Sequence, residues 1–121
     1  MPLMGTDTPM RTLFCFGLLP AFFDIDGPRR KLVFEALLDA YKDLTRRFGI
    51  AVLGTLDDDR SVVGPTLGYP WTCYILADVP SHWAVSEFYN ILREIQVGED
   101  LLWRYLKVEA RTGRELFFGR N

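Results

Sequence analysis

Histidine and cysteine are scarce in this chain, which has one histidine and two cysteines among 121 residues. Zinc sites and thiol redox motifs use closely spaced Cys and His side chains, whereas Cys15 and Cys73 are far apart and lie in apolar segments. We therefore expect two reduced thiols in the core, with a disulfide between them as the less favoured alternative. We expect neither a metal site nor a bound cofactor.

The chain also lacks a large excess of positive or negative charge, and it lacks long hydrophobic runs. The chain has 14 Lys and Arg against 16 Asp and Glu, and the basic residues are scattered, which removes the main driving force for binding nucleic acid. The apolar stretch 11–23 is too short to span a membrane, and Pro20 and the acidic residues that follow argue against a secretory signal. We therefore expect a cytoplasmic protein with no nucleic-acid or membrane partner.

Sequence motifs of nucleotide binding and nucleophilic catalysis are missing. The glycines form neither a GxGxxG nor a GxxxxGK pattern, and there is no GxSxG elbow. The acidic run at residues 57–59 lacks the spaced ligands of a calcium loop and is typical of a solvated turn. The sequence therefore gives no support for nucleophilic catalysis.

Aromatic residues, in contrast, are abundant: 9 Phe, 5 Tyr and 3 Trp make up 14% of the chain. Because aromatic rings are rigid and amphipathic, such an excess can fill a bulky core, form an oligomer interface or line a pocket for a planar ligand. The sequence leaves all three uses open.

Apolar periodicity predicts one domain over residues 11–121, after a flexible extension at 1–10. The order of predicted elements is βαββαβ. The predicted strands are 11–17, 50–56, 71–77 and 102–110, and the predicted helices are 28–48 and a segment from Pro80-Ser81 to just before Gly98.

This order is typical of an α+β ferredoxin-like sandwich, in which both helices cover one face of an antiparallel sheet. A second copy is the simplest cover for the other face, so we expect a homodimer. Over about residues 11–118 the chain resembles the dimeric α+β barrel superfamily in topology, length and aromatic content. The resemblance implies the fold but does not indicate which reaction the protein would catalyse.

Four segments carry a narrower resemblance: RTLFCFGL, VLGTLDDDR, GYPWTCYILADVP and LLWRYLKVEARTGRELFFG. They look like the family of small accessory proteins encoded in bacterial operons for degradation of the auxin indole-3-acetate. The resemblance implies a role in handling an oxidised indole-3-acetate intermediate, which is an aromatic acid.

The single histidine, His82, lies near the start of the second predicted helix, where a neutral imidazole could act as a general base. Asp78, four residues earlier, could orient it. The alternative is that His82 is a partly exposed residue of the first helical turn.

The last predicted strand would place Trp103, Tyr105 and Lys107 on one face and Arg104 on the other. The two rings could stack on a flat ligand, and Lys107 or Arg104 could bind its carboxylate. Alternatively, the same side chains form the dimer interface, with Lys107 and Glu109 as an ion pair at its rim.

Four further aromatic residues are candidate ligand contacts. Tyr69 and Trp71 could form a lid over a pocket or simply cover the open end of the sheet, and Tyr74 would lie on the face opposite Trp71. Tyr41 lies on the core-facing stripe of the first predicted helix, where its hydroxyl needs a partner if it is buried. It could offer that hydroxyl to a ligand between helix and sheet.

Together these patterns predict a homodimer that binds a small aromatic carboxylate and assists its conversion without a cofactor. Trp71, Trp103 and Tyr105 would stack on the ring, and His82 would transfer a proton. Two alternatives remain: a non-catalytic protein that binds the intermediate or supports a partner oxygenase, and a structural dimer whose rings all lie in the core and interface.

Overall fold

The computed structural model describes residues 9–64 and 71–120. In chain order the elements are β1 (Met10–Leu18), α1 (Pro20–Phe23), α2 (Gly27–Ala40), α3 (Leu44–Phe48), β2 (Ala51–Asp57), β3 (Cys73–Val79), α4 (His82–Glu94), β4 (Gln96–Val97), β5 (Asp100–Leu101), a 3-10 turn (Leu102–Arg104) and β6 (Leu106–Gly113). The main sheet has the strand order β2-β3-β1-β6, with every neighbouring pair antiparallel. The predicted α+β class is therefore confirmed.

Both long helices begin with a side-chain cap. The Asp26 carboxylate accepts a hydrogen bond from the backbone N–H of Arg29 at the start of α2, and the Ser81 hydroxyl accepts one from the N–H of Ala84 at the start of α4. Each cap satisfies a backbone donor that the first helical turn leaves without a partner. The caps thus fix where α2 and α4 begin above the sheet.

The core is built around two stacked rings. Phe14 of β1 and Phe88 of α4 are both fully buried, and their ring centroids lie 3.7 Å apart at an interplanar angle of 19°. Phe16 and Tyr41 surround this pair, with the Tyr41 centroid 4.7 Å from that of Phe88. The rings join the central strand to both α2 and α4.

Three predicted boundaries were wrong. The helix predicted over 28–48 is interrupted after Ala40, because Asp43 adopts a left-handed backbone conformation (φ 54°) that short polar residues tolerate. The last strand begins at Leu106, since residues 102–104 form a turn, and it continues to Gly113. Met10, assigned to the flexible extension, pairs with Val79 as part of β1.

Two short elements lie outside the predicted order. Helix α1 and the β4–β5 hairpin were not predicted, because elements of two to four residues are too short to show a periodicity. Cys15 and Cys73 are both free thiols, as expected. In the ranges that the structure covers, no helix combines the length and apolar character needed to cross a membrane.

We predict that the Phe14–Phe88 stack contributes strongly to stability. Phe88→Ala should lower the free energy of unfolding by about 3–5 kcal/mol, because it removes a fully buried ring and leaves a cavity. The matched control is Tyr89→Ala, which truncates the exposed ring next in sequence and should change this free energy by less than about 1 kcal/mol. Urea denaturation measures the free energy of unfolding of both variants. An equal decrease in the two variants would contradict the proposed role of the Phe14–Phe88 stack.

Candidate functional site

A cleft of about 640 Å³ lies between α2 and the inner face of the sheet. Its walls are mostly apolar. We call it the apolar cleft. Its lining residues are Phe16 of β1, Phe34, Leu37 and Leu38 of α2, Tyr41 directly after α2, Thr55, Leu56 and Asp57 of β2, and Cys73, Tyr74 and Ile75 of β3, together with Leu18, Thr72 and Leu106. This volume is within the range of roughly 300–1,000 Å³ that is usual for small-molecule sites.

The apolar cleft is open because α2 ends before it covers the edge of the sheet. All seven residues of the edge strand β2 are exposed, and the chain turns away after Ala40. Phe34 and Leu38 at the rim are therefore 53% and 79% exposed. Apolar side chains that stay exposed around a concave surface are typical of a binding site.

Tyr41 supplies the one buried polar atom of the apolar cleft that has no partner. It follows the last residue of α2, and its ring lies against Phe16 and Phe88, with centroids at 5.4 and 4.7 Å. Its hydroxyl has no hydrogen-bond partner among the described residues. Burial raises the pKa of this phenol well above its ordinary value. The hydroxyl therefore stays protonated and can act as a hydrogen-bond donor.

Two other hydroxyl groups of the lining residues, those of Tyr74 and Thr72, already have partners. The Tyr74 hydroxyl lies 3.1 Å from the Asp58 carboxylate and 3.2 Å from the Trp71 carbonyl oxygen, and can donate to either. The Thr72 hydroxyl donates to the Phe16 carbonyl at 3.5 Å. Burial raises the pKa of the Cys73 thiol, which favours its neutral form. These groups do not compete with Tyr41 for a ligand.

Charge is nearly absent from the apolar cleft. Asp57 is the one charged side chain among its described lining residues, and no lysine or arginine contributes to that lining. The electrostatics therefore favour a neutral group inside the apolar cleft and disfavour a buried carboxylate. In the described part of the chain, no group of three or more His, Cys, Asp or Glu side chains could hold a metal ion.

The predicted acid–base pair lies outside the apolar cleft. His82 is the first residue of α4 and is exposed. Asp78 forms an ion pair with Arg11, with a distance of 2.7 Å between Nε and Oδ1. No hydrogen bond between described residues joins Asp78 to His82, so their role in proton transfer stays a prediction.

The predicted alternation of Trp103, Tyr105 and Lys107 on one strand face is wrong, because the first two residues precede β6. Tyr105 is buried, and its hydroxyl donates to the Asp100 carboxylate at 2.9 Å. Arg104 forms an ion pair with the same carboxylate, at 3.7 Å. Trp103 is half exposed, and its ring centroid lies 5.2 Å from the Arg93 guanidinium carbon.

The predicted ligand residues are thus divided between two places. Tyr41 and Tyr74 line the apolar cleft, whereas Trp103 and Lys107 line a groove beside β6. The Lys107 ammonium lies 5.9 Å from the centroid of the Trp71 ring, which also lies outside the apolar cleft. Tyr69 lies outside the described residues.

Sequence reasoning missed most of the apolar wall. The signal was present in α2, where Phe34 and Leu38 are apolar but do not belong to the predicted core stripe. A helix with apolar residues on more than one side covers a second apolar surface in addition to the core. Here that second surface is the apolar cleft.

We predict that removing the Tyr41 hydroxyl stabilises the free protein. A buried hydroxyl without a partner costs about 1–3 kcal/mol, so Tyr41→Phe should raise the free energy of unfolding by about 1 kcal/mol. Tyr105→Phe is the matched control, because it removes a buried hydroxyl that has a partner and should lower the same quantity. Chemical denaturation of both variants measures the difference, and a destabilising Tyr41→Phe would show that the hydroxyl is satisfied.

Compared with protein-family models, with curated proteins and with solved structures, the chain has no significant match. The resemblance to the dimeric α+β barrel superfamily therefore stays a prediction. The function has to be inferred from the apolar cleft itself.

Proposed function

We propose that this protein binds a small aromatic molecule in the apolar cleft. The observation that carries the proposal is that Tyr41, a lining residue of the apolar cleft, has a buried hydroxyl without a hydrogen-bond partner among the described residues. Such a hydroxyl destabilises the free protein, and an acceptor atom on a ligand would remove that cost on binding. The apolar walls supply the remaining affinity by burying the ring.

The lining suggests how the ligand would be oriented. Its ring would lie between the α2 side chains Phe34 and Leu37 and the strand residue Ile75, and Tyr41 would donate a hydrogen bond to a ligand oxygen. A carboxylate would point to the open mouth, because the described lining has no cation and Asp57 would repel an anion inside.

The resemblance found in the sequence suggests a biological setting for this binding. We propose a role in the catabolism of an aromatic compound, with an oxidised indole-3-acetate intermediate as the ligand. A fused two-ring frame with a carbonyl oxygen matches both the apolar walls and the donor at Tyr41.

Binding without turnover is the form of this function that the geometry favours. Asp57 and Cys73 are the proton-transfer candidates in the described lining besides the two tyrosines, and His82 is elsewhere. The pKa of the Cys73 thiol is raised, which weakens it as a nucleophile at neutral pH. A protein that holds the intermediate for a partner oxygenase needs the apolar cleft but no general base.

We further propose that the chain adopts the ferredoxin-like sandwich and pairs as a homodimer. The strand order β2-β3-β1-β6 supports the sandwich. Leu13 and Leu76 are direct neighbours on the sheet face that points away from the core, and they would form the apolar centre of the interface. The Arg11–Asp78 and Glu109–Arg111 ion pairs would lie around this centre.

Ligand binding can be tested with a matched pair of two-ring compounds. Indolin-2-one carries a carbonyl acceptor, whereas indane has a similar carbon frame without one. Tyr41→Phe should weaken binding of indolin-2-one about tenfold, the effect of losing one hydrogen bond, and should leave binding of indane unchanged. NMR titration that follows the amide signals of Cys73 and Ile75 measures both affinities.

Tyr74→Phe is the control for this experiment. It removes the phenolic hydroxyl of another lining residue, one that is already bonded within the protein and whose strand position pairs with Cys15, so binding of indolin-2-one should not change. If neither compound moves the Cys73 and Ile75 signals at millimolar concentration, the proposed function fails.

The dimer can be tested at Leu76. Leu76→Asp should convert the homodimer to a monomer in sedimentation velocity, because it places a charge at the apolar centre of the proposed interface. Leu38→Asp is the control, since Leu38 is more exposed and lies on α2, and should leave the dimer intact. A wild-type protein that sediments as a monomer at micromolar concentration would refute the interface.

A further inference from the structure

A second concave site lies at the other edge of the main sheet, between α4 and the edge strand β6. We call it the edge groove. Ser86, Tyr89, Asn90 and Arg93 of α4 form one wall, and residues 107–110 of β6 form the other, around a volume of about 530 Å³. We propose that the edge groove binds a hydrophobic carboxylate, by which we mean an apolar group carrying a carboxylate.

An apolar pocket at one end of the edge groove would hold the hydrophobic part. It has a volume of about 150 Å³ and shares Tyr89, Arg93 and Lys107 with the edge groove. Its remaining walls are apolar or aromatic and come from Leu19, Leu92, Trp103 and Leu106. An aliphatic or indole group would bury apolar surface there.

One cation, Arg93, lies where this pocket meets the edge groove. The Arg93 guanidinium packs against the Trp103 ring, and no carboxylate in the described part of the chain forms an ion pair with it. Lys107 borders both cavities, but its ammonium is directed toward Trp71, 5.9 Å from the ring centroid. The carboxylate of Glu109 in the same wall is bonded to Arg111 at 2.8 Å. A planar guanidinium can bind a carboxylate in bidentate fashion while one of its faces stays on an indole ring.

The carboxylate could belong to a small free acid or to the C-terminal residue of a polypeptide. The edge strand gives a means of distinguishing them. The Leu19 N–H donates to the Tyr105 carbonyl at 2.8 Å, so the antiparallel register directs alternate β6 residues to β1 and leaves the backbone groups of Val108 and Ala110 at the free edge. An extended peptide would pair with these groups, and a small acid would not.

The test is an NMR titration of the full chain with two matched pairs of probes. Indole-3-acetate is compared with indole-3-acetamide, and acetyl-Ala-Val-Ala-Leu with its C-terminal amide. Each carboxylate should shift the Trp103 indole N–H signal and bind about tenfold more tightly than its neutral partner, the effect of a charge-assisted contact. If the Val108 and Ala110 amides also shift with the peptide, the natural source is a polypeptide. If the peptide does not bind and indole-3-acetate does, the source is a small acid.

Arg93→Gln should weaken the binding of both carboxylate probes about tenfold. The control is Arg104→Gln, which removes an exposed guanidinium that is adjacent to Trp103 in the chain but paired with Asp100, and should have no effect. Equal affinity of wild type and Arg93→Gln, or no shift at Trp103 with any probe, would overturn the proposal. Tyr41→Phe should not change these affinities, so the edge groove and the apolar cleft can fail independently.

Discussion

The stacking of Phe14 on Phe88 is the contact on which the arrangement of the layers depends. It joins the central strand β1 to α4, and Tyr41 and Phe16 extend the same ring cluster toward α2. Phe88 is fully buried in this cluster, whereas Tyr41 borders the apolar cleft. Aromatic side chains therefore form both this part of the core and part of the lining of the candidate site. A ligand ring in the apolar cleft would continue the aromatic packing that holds the protein together.

The interruption between α2 and α3 creates the apolar cleft and also positions its donor. A continuous helix over 28–48 would carry α2 past Ala40 and shift the position of Tyr41 relative to the sheet. Instead, Asp43 takes a left-handed conformation, and Arg47 donates to the Ala40 and Lys42 carbonyls that the interruption leaves free. The left-handed backbone of Asp43 costs conformational free energy, and the same conformation sets the geometry of the candidate site.

The sequence predicts the parts of this structure that depend on long apolar periods. The order of the four main-sheet strands and two helical regions and the core-facing position of Tyr41 follow from such patterns, whereas the reduced cysteines follow from their wide separation in the sequence. The break at Asp43 and the turn at 102–104 depend on single backbone conformations, which leave no period in the sequence. The apolar wall formed by Phe34 and Leu38 was missed for a second reason, since apolar residues outside a core stripe are ordinarily interpreted as isolated surface residues.

Electrostatics separate the two candidate sites. The apolar cleft has one described charge, the carboxylate of Asp57, whereas the edge groove has the Arg93 guanidinium next to an apolar pocket. An uncharged aromatic molecule is therefore favoured in the first site and an acid in the second, although each site has apolar walls against which a ring could pack. For a compound that is both aromatic and acidic, the cost of burying its carboxylate decides between the sites. Its ring would enter the apolar cleft only if the carboxylate stayed in solvent at the mouth, whereas in the edge groove the carboxylate itself would contribute to binding.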